Sequence, residues 1–310
     1  MADPLILARA VHLAASALMA GALAFDVVVA RPLAAAGRVY RFAVARLIWG
    51  MAAVILVSGL AWLLLLSAGI ANVPVARALT GGTVTIVLTD TRFGNVWLIR
   101  GALIAAAMFA LALKWKWPAL ILSAAALAAI AITAHAGARN GLIGWGLLAS
   151  DMLHLVAAGL WLGSLPALAI LLAASDVEPR LRAAGTRRFS GLGIVAVAIL
   201  IVSGFVNAWA MLGQPAALIE TSYGRVLSVK LALFAAMLVC AATNRLYWTP
   251  RLPSPKAFAG IVRLASIEIA LGLGIMLAVG ALGIMAPPFH THAETGDGGM
   301  GSFHPADRRD

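Results

Sequence analysis

Eight apolar runs follow one another along the chain, at about residues 5–30, 47–68, 95–113, 118–137, 148–173, 190–212, 226–247 and 260–286. As helices rising 1.5 Å per residue, runs of this length cross a hydrocarbon core of roughly 30 Å. They predict an all-α fold: a polytopic membrane helix bundle of eight transmembrane helices. Composition agrees, since 63% of the residues are hydrophobic and only 11% are charged, against roughly 45–50% and 25% in a soluble domain. Lipid is therefore the partner of most of the surface. The connection from Asn72 to Arg92 is the longest, and its Val/Thr-rich TVTIVLT predicts a short strand or a segment lying on the bilayer surface rather than a span. The N-terminus lacks the basic region and cleavage site of a secretory signal, so the first run is expected to stay as a span.

A formal net charge of +11 raises the question of nucleic acid, but the basic residues sit in short connections between apolar runs. Membrane topology explains them, and no nucleic-acid partner is expected. One set of alternate connections holds Arg31, Arg38, Arg41, Arg46, Lys114, Lys116, Arg180, Arg182, Arg187, Arg188, Arg245, Arg251, Lys256 and Arg263. The opposite set holds only Arg77, Arg92, Arg139, Arg225, Arg308 and Arg309. The positive-inside rule then assigns the first set to the cytoplasm and both termini to the outer side.

An internal repeat organises the chain into two parallel four-helix units, about 5–137 and 148–286, within a membrane domain over 1–289. HLAASALMAG from His12 resembles HLVAAGLWLG from His154. VILVSGLAW, ending at Trp62, resembles AILIVSGFVNAW, ending at Trp209. FGNVWLIRGAL with Arg100 resembles YGRVLSVKLAL with Lys230. The three matches keep their order, at offsets of 142, about 145 and 130 residues. Repeats of one orientation imply a pseudo-twofold axis along the membrane normal.

On this topology the histidines share a depth. His12, His135 and His154 fall near the outer ends of the first, fourth and fifth spans. His290, His292 and His304 follow the last span in a Gly-rich tail, 290–310, expected to be flexible on the outer side. Imidazole is a common ligand for copper and zinc, and imidazoles at helix ends replace part of an ion's hydration shell. His12 and His154 are expected to share one ion between the units, with His135 beside them and the His290/His292 pair as a capture arm. For a single membrane-end histidine the plain alternative is a hydrogen-bonded interfacial residue, and for the tail pair it is a solvated segment with incidental histidines. Met152 and Met285 lie at histidine depth as soft candidate ligands, although methionine in an apolar helix usually serves packing.

Charges within spans are costly and ask for partners. Asp151 lies one turn before His154, placed to orient its imidazole or to ligate; Arg9 precedes His12 by the same interval. Arg100 and Lys230 occupy matched positions, where the alternative to a functional role is snorkelling to the interface. Asp26 and Glu268, toward the cytoplasmic ends of the first and eighth spans, read either as an inner way-station for a cation or as partners of Arg31 and Arg263, and pairing is favoured. The single cysteine, Cys240, excludes an intrachain disulfide and a CxxC site. No GxxxxGK[ST] loop, HExxH helix or Ser/His/Asp pattern is present. An ATP-driven pump or another enzyme in this chain is accordingly not expected.

The sequence resembles the copper resistance D (CopD/PcoD) family of bacterial inner-membrane proteins. The resemblance rests on RAVHLAASALMAGALAF, HLVAAGLWLGSL, RFSGLGIVAVAILIVSG, YGRVLSVKLAL and an eighth span with Glu268 ending at Pro287 and Pro288, and covers roughly residues 5–290. It implies an eight-span fold and movement of copper, as Cu(I) or Cu(II), from periplasm to cytoplasm. The family's first- and fifth-span histidines carry over to His12 and His154. No periplasmic copper-binding domain is fused here, so a separate periplasmic copper-binding protein is the implied donor. Two other functions compete: a redox subunit binding haem b between two of His12, His135 and His154, and a relay that passes copper to a periplasmic partner without transporting it.

Overall fold

The computed structural model describes residues 3–33, 37–133 and 141–285. His135, His290, His292 and His304 lie outside these residues. Eight helical segments are long and apolar enough to cross a membrane: Pro4–Ala30, Arg38–Ala71, Arg92–Ala112, Lys116–Thr133, Gly141–Ala173, Pro179–Leu212, Ser222–Arg251 and Pro255–Leu282. Among the described residues there is no strand, and the chain is an all-α polytopic membrane bundle.

The helices are α1 (Pro4–Ala24), α2 (Arg38–Ala71), α3 (Val75–Thr80), α4 (Thr83–Asp90), α5 (Arg92–Ala112), α6 (Lys116–Ala128), α7 (Gly141–Leu162), α8 (Leu165–Ala173), α9 (Pro179–Leu212), α10 (Ala217–Glu220), α11 (Ser222–Thr243) and α12 (Pro255–Leu282). Two spans outrun their apolar runs furthest. The second begins at Arg38 and the sixth at Pro179, so both continue as helix through arginine-bearing turns. Hydropathy marks where lipid stops, whereas a helix stops at its caps. Here the starts are Gly37 and a proline at the first helical position of α9.

The TVTIVLT segment is not a strand; it forms the short helix α4, outside the membrane-spanning segments. Its β-branched residues favour strands in isolation, but packing overrides that preference. Val87 is buried, and the hydroxyls of Thr89 and Thr91 donate to the carbonyls of Thr85 and Val87. Gly94 admits this backbone against α5, since a Cβ there would collide with Val87 and Leu88. A matching corner lies 130 residues on, where Thr221 Oγ1 donates to Ala217 O and Gly224 meets Ala217 and Leu218. At both corners the threonine caps the following helix by accepting from the glycine N–H, Gly94 or Gly224.

α1 is the central helix. In its most apolar window 83% of residues are buried, against 11% for Ser222–Arg251. It packs on α2, α6, α7, α8 and α12. The contact with α7 is built from small residues: a Cβ on Gly21 would strike the backbone of Gly159 and Gly163, and Ser164 Oγ donates to Gly21 O at 2.9 Å. Without a hydrophobic drive between helices in lipid, such close backbone approach is what holds spans together. α12 closes on α1 in the same way, through Gly280 against Ile6 and Ala10.

Candidate functional site

Each of the two central helices carries one histidine, five residues before a contact position of the crossing: His12 before Ala17 on α1 and His154 before Gly159 on α7. At 1.5 Å per residue both lie about 7.5 Å along their helices from the crossing.

His12 is buried between α1, α2 and α5. Its Nδ1 lies 3.1 Å from Ile55 O and 3.2 Å from Ser58 Oγ, and its Nε2 lies 2.7 Å from Arg100 Nη2. These partners assign the tautomer. A guanidinium only donates and a carbonyl only accepts, so Nδ1 carries the proton and Nε2 presents its lone pair to Arg100. Ser58 agrees, because its hydroxyl donates to Val54 O at 2.5 Å and leaves its oxygen free to accept. Gly59 lets the ring lie against α2; a Cβ there would stand 3.1 Å from His12 Cε1. Trp62 meets the ring edge-on at 5.5 Å, and the Arg9 guanidinium lies over that indole at 5.0 Å.

Around His154 the cradle is built alike. Ser203 Oγ donates to Ile199 O at 2.5 Å, so it accepts from His154 Nδ1 at 3.0 Å. Gly204 faces the ring at 3.4 Å. His154 therefore also points an Nε2 lone pair away from its serine, and among the described residues no hydrogen bond caps it. Lys230 acts electrostatically on both His154 and Asp151.

The charged residues find partners other than those expected. Asp151 accepts from Asn207 Nδ2 at 3.3 Å, while His154 is oriented by Ser203; the carboxylate does not set the imidazole's tautomer. Arg100 does not snorkel. It is buried, and its Nε donates to Ala126 O at 3.0 Å. Asp26 pairs with Lys116 Nζ at 2.5 Å rather than with Arg31. Arg31 follows Asp26 by five residues around a helix, whereas α6 brings its first lysine directly to the π-helical turn Phe25–Ala30 that holds Asp26. Glu268 accepts from Asn244 Nδ2 at 2.9 Å rather than from Arg263, because α12 turns this residue inward against α11.

Met285 packs with Leu212, Tyr223 and Leu227, and Met152 is half-buried, a 100° turn of helix away from Asp151. Among the described residues no three His, Cys, Asp or Glu side chains form a ready metal cage. Ser58, Gly59, Ser203, Gly204 and Asn207 are the positions that sequence reasoning did not single out. The recurring VSG marks four of them, but its role as a histidine cradle needs the neighbouring helix. Nor does Trp209 stand where Trp62 does: Trp62 is 3% exposed against His12, whereas Trp209 is 62% exposed and stacks on Phe205. Asn207, not Trp209, reaches back to the helix that carries the histidine.

Comparison with known proteins places this geometry. The family profile described as Copper resistance protein D-like, N-terminal domain, matches residues 1–145, and that of Copper resistance protein D matches residues 183–282. The chain is 31% identical over 251 residues to Copper resistance protein D of Pseudomonas syringae pv. tomato, covering 74% of this chain and 81% of that one. The chain belongs to the copper resistance protein D family. It is also 29% identical to Copper transport protein CutJ of Bacillus subtilis (strain 168), over 67% of this chain and 39% of the relative. With Inner membrane protein YebZ of Escherichia coli (strain K12) it shares 28% identity, over 64% of this chain and 70% of that protein. No solved structure matches. Of the two family profiles, the first spans His12, Ser58 and Arg100 and the second Ser203 and Lys230; His154 lies in the stretch between them.

Proposed function

We propose that this copper resistance D family protein carries copper across the bacterial inner membrane, from periplasm to cytoplasm, and that its outer histidines capture the ion. Copper is the cargo here. The observation that carries the reading is the Nε2 of His154, which no hydrogen bond caps among the described residues: a serine holds the opposite ring nitrogen, which fixes the tautomer and aims the lone pair, as partners behind metal-ligating histidines do. Asp151, one turn away, supplies a negative charge on the same face. The names of two relatives, a copper transport protein and an inner membrane protein, support cargo and location.

In this reading the two four-helix units form one path. His154 is the first station, and His12 becomes available when Arg100 withdraws from its lone pair. Both termini are periplasmic, a separate periplasmic protein delivers the copper, and His290 and His292 in the tail assist capture. Inward movement draws on the membrane potential, worth about 2.3 kcal/mol per charge per 100 mV. The chain itself needs no nucleotide.

Radiocopper uptake into proteoliposomes tests this. His154→Ala is expected to lower uptake at least about tenfold, about 1.4 kcal/mol, with the helical circular dichroism intact. Uptake unchanged by both His154→Ala and His12→Ala would remove the histidines from the path. Copper bound at the surface but never internalised would leave a relay instead of a transporter.

A further inference from the structure

One large cavity belongs to neither histidine. It lies between α9 and α11 at their arginine-bearing ends, has a volume of about 350 Å3, and includes Phe189, Ile194, Val197, Leu238 and Ala241 in its walls. The lining positions recur at helical spacing, Ser190, Ile194, Val197 and Ile201 on α9 and Leu238 and Ala241 on α11 with Arg245 in the π-helical turn Asn244–Trp248 that continues it, so each side presents one continuous stripe to the space. These helices are not packed against one another along their length, whereas their neighbours α7 and α12 hold them firmly from behind. Ile194 and Ile201 are also exposed on the outer surface, so the cavity opens sideways, toward lipid.

A second, polar recess of about 420 Å3 adjoins it and shares Ser190, Arg245 and Thr249 with it. Arg187, Leu246 and Pro250 complete the recess. Arg187 spends Nη2 on Leu252 O, and Arg245 spends Nη1 on Ser190. Each guanidinium keeps further donors, and among the described residues neither has a carboxylate partner. The slot is apolar apart from its inner wall, where the Glu268 carboxyl accepts from Asn244, and it opens to the membrane and runs into a mouth bearing Arg187 and Arg245, neither ion-paired among the described residues.

We infer that this cleft binds one anionic phospholipid, an acyl chain filling the apolar cavity and the phosphate resting on Arg187 and Arg245. Basic pockets between spans suit phosphate headgroups, and the cavity's size lies within the range of small-molecule sites, roughly 300–1,000 Å3. A free anion would use the mouth alone and leave the slot empty. The inference stands apart from copper movement, since none of these residues touches either histidine's cradle.

Native mass spectrometry of the delipidated full-length protein, titrated with phosphatidylglycerol or phosphatidylcholine, tests it. The wild type is expected to retain one phosphatidylglycerol with at least about tenfold preference over phosphatidylcholine. Arg187→Gln with Arg245→Gln should reduce that preference to about twofold or less. Ala241→Phe, which fills the slot from the middle of the α11 stripe, should weaken phosphatidylglycerol binding by about tenfold while both arginines remain. Equal binding of the two lipids by the wild type overturns the proposal. So does undiminished binding by whichever variant remains monodisperse, or displacement of the lipid by an equal concentration of inorganic phosphate.

Discussion

In the first half of the bundle His12 Nε2 accepts from Arg100 at 2.7 Å, whereas in the second half Lys230 makes no hydrogen bond to His154 among the described residues. The cradles behind the two rings match. Ser58 and Ser203 each spend their proton on the carbonyl four residues back and accept from Nδ1, and Gly59 and Gly204 each clear the ring's face. What differs is the charge in front. Arg100 places a cation on His12 itself and Arg9 a second one over the Trp62 ring that edges it, while Asp151 and Lys230 set one charge of each sign near His154. A metal cation arriving at His12 meets only cations and an occupied lone pair; at His154 it meets Lys230 together with Asp151, and among the described residues no hydrogen bond occupies Nε2. One scaffold thus yields a guarded imidazole and an available one.

The sharpest way to break this contrast is to remove the guard. Arg100→Leu takes away a buried cation and frees His12 Nε2, while the serine still holds the ring. Calorimetric titration of the variant with copper should show a second binding event, tighter at His12 by on the order of a hundredfold, about 2.7 kcal/mol. The gain should vanish in Arg100→Leu with His12→Ala. An unaltered titration would mean that Arg100 is structural support alone and that the two halves differ for some other reason.

A smaller effect sharpens the contrast from the other side. Asp151→Asn keeps the side chain's shape and its bond to Asn207 but removes the negative charge one turn before His154. Near a protein surface, one charge several ångströms away is worth a few kcal/mol before screening. Copper affinity at His154 is expected to fall about tenfold, about 1.4 kcal/mol. Thermal stability should hold or rise, because a half-buried carboxylate is no longer being desolvated. Loss of stability with unchanged affinity would identify Asp151 as a packing group.

How much of this is legible in the sequence follows from which interactions are local. The spans are, because a helix in lipid must be apolar along its whole length, and the eight runs predict them with errors only where helices outrun the hydrocarbon, as at Arg38 and Pro179. The histidines and the in-span charges are visible too, since any polar residue stands out against an apolar run. Their partners are not. Ser58 lies 46 residues from His12, Ser203 lies 49 from His154, and Lys116 lies 90 from Asp26. No periodicity links positions so far apart. Reasoning confined to one helix therefore picks the nearest opposite charge, Arg31 for Asp26 or Arg263 for Glu268, and it overlooks neutral Asn244 across the helix interface. VSG is the instructive middle case, recurring openly at 57–59 and 202–204 while its purpose sits on another helix.

The finest test of the shared cradle uses those two glycines. A Cβ at Gly59 would stand 3.1 Å from His12 Cε1, closer than side chains normally approach, while one at Gly204 would stand 3.4 Å from His154 Cε1, an ordinary contact. Alanine inside a helix is favoured over glycine by about 0.8–1 kcal/mol. Gly204→Ala should therefore stabilise the protein by somewhat less than about 1 kcal/mol. Gly59→Ala should gain nothing or lose a similar amount, because the His12 ring is held by Ile55, Ser58 and Arg100 and cannot back away without stretching one of those bonds. Thermal unfolding of the two variants in the same detergent measures the difference. If the pair behave identically, the ring of His12 is no more tightly held than that of His154, and the guard on the first imidazole is looser than its hydrogen bonds imply.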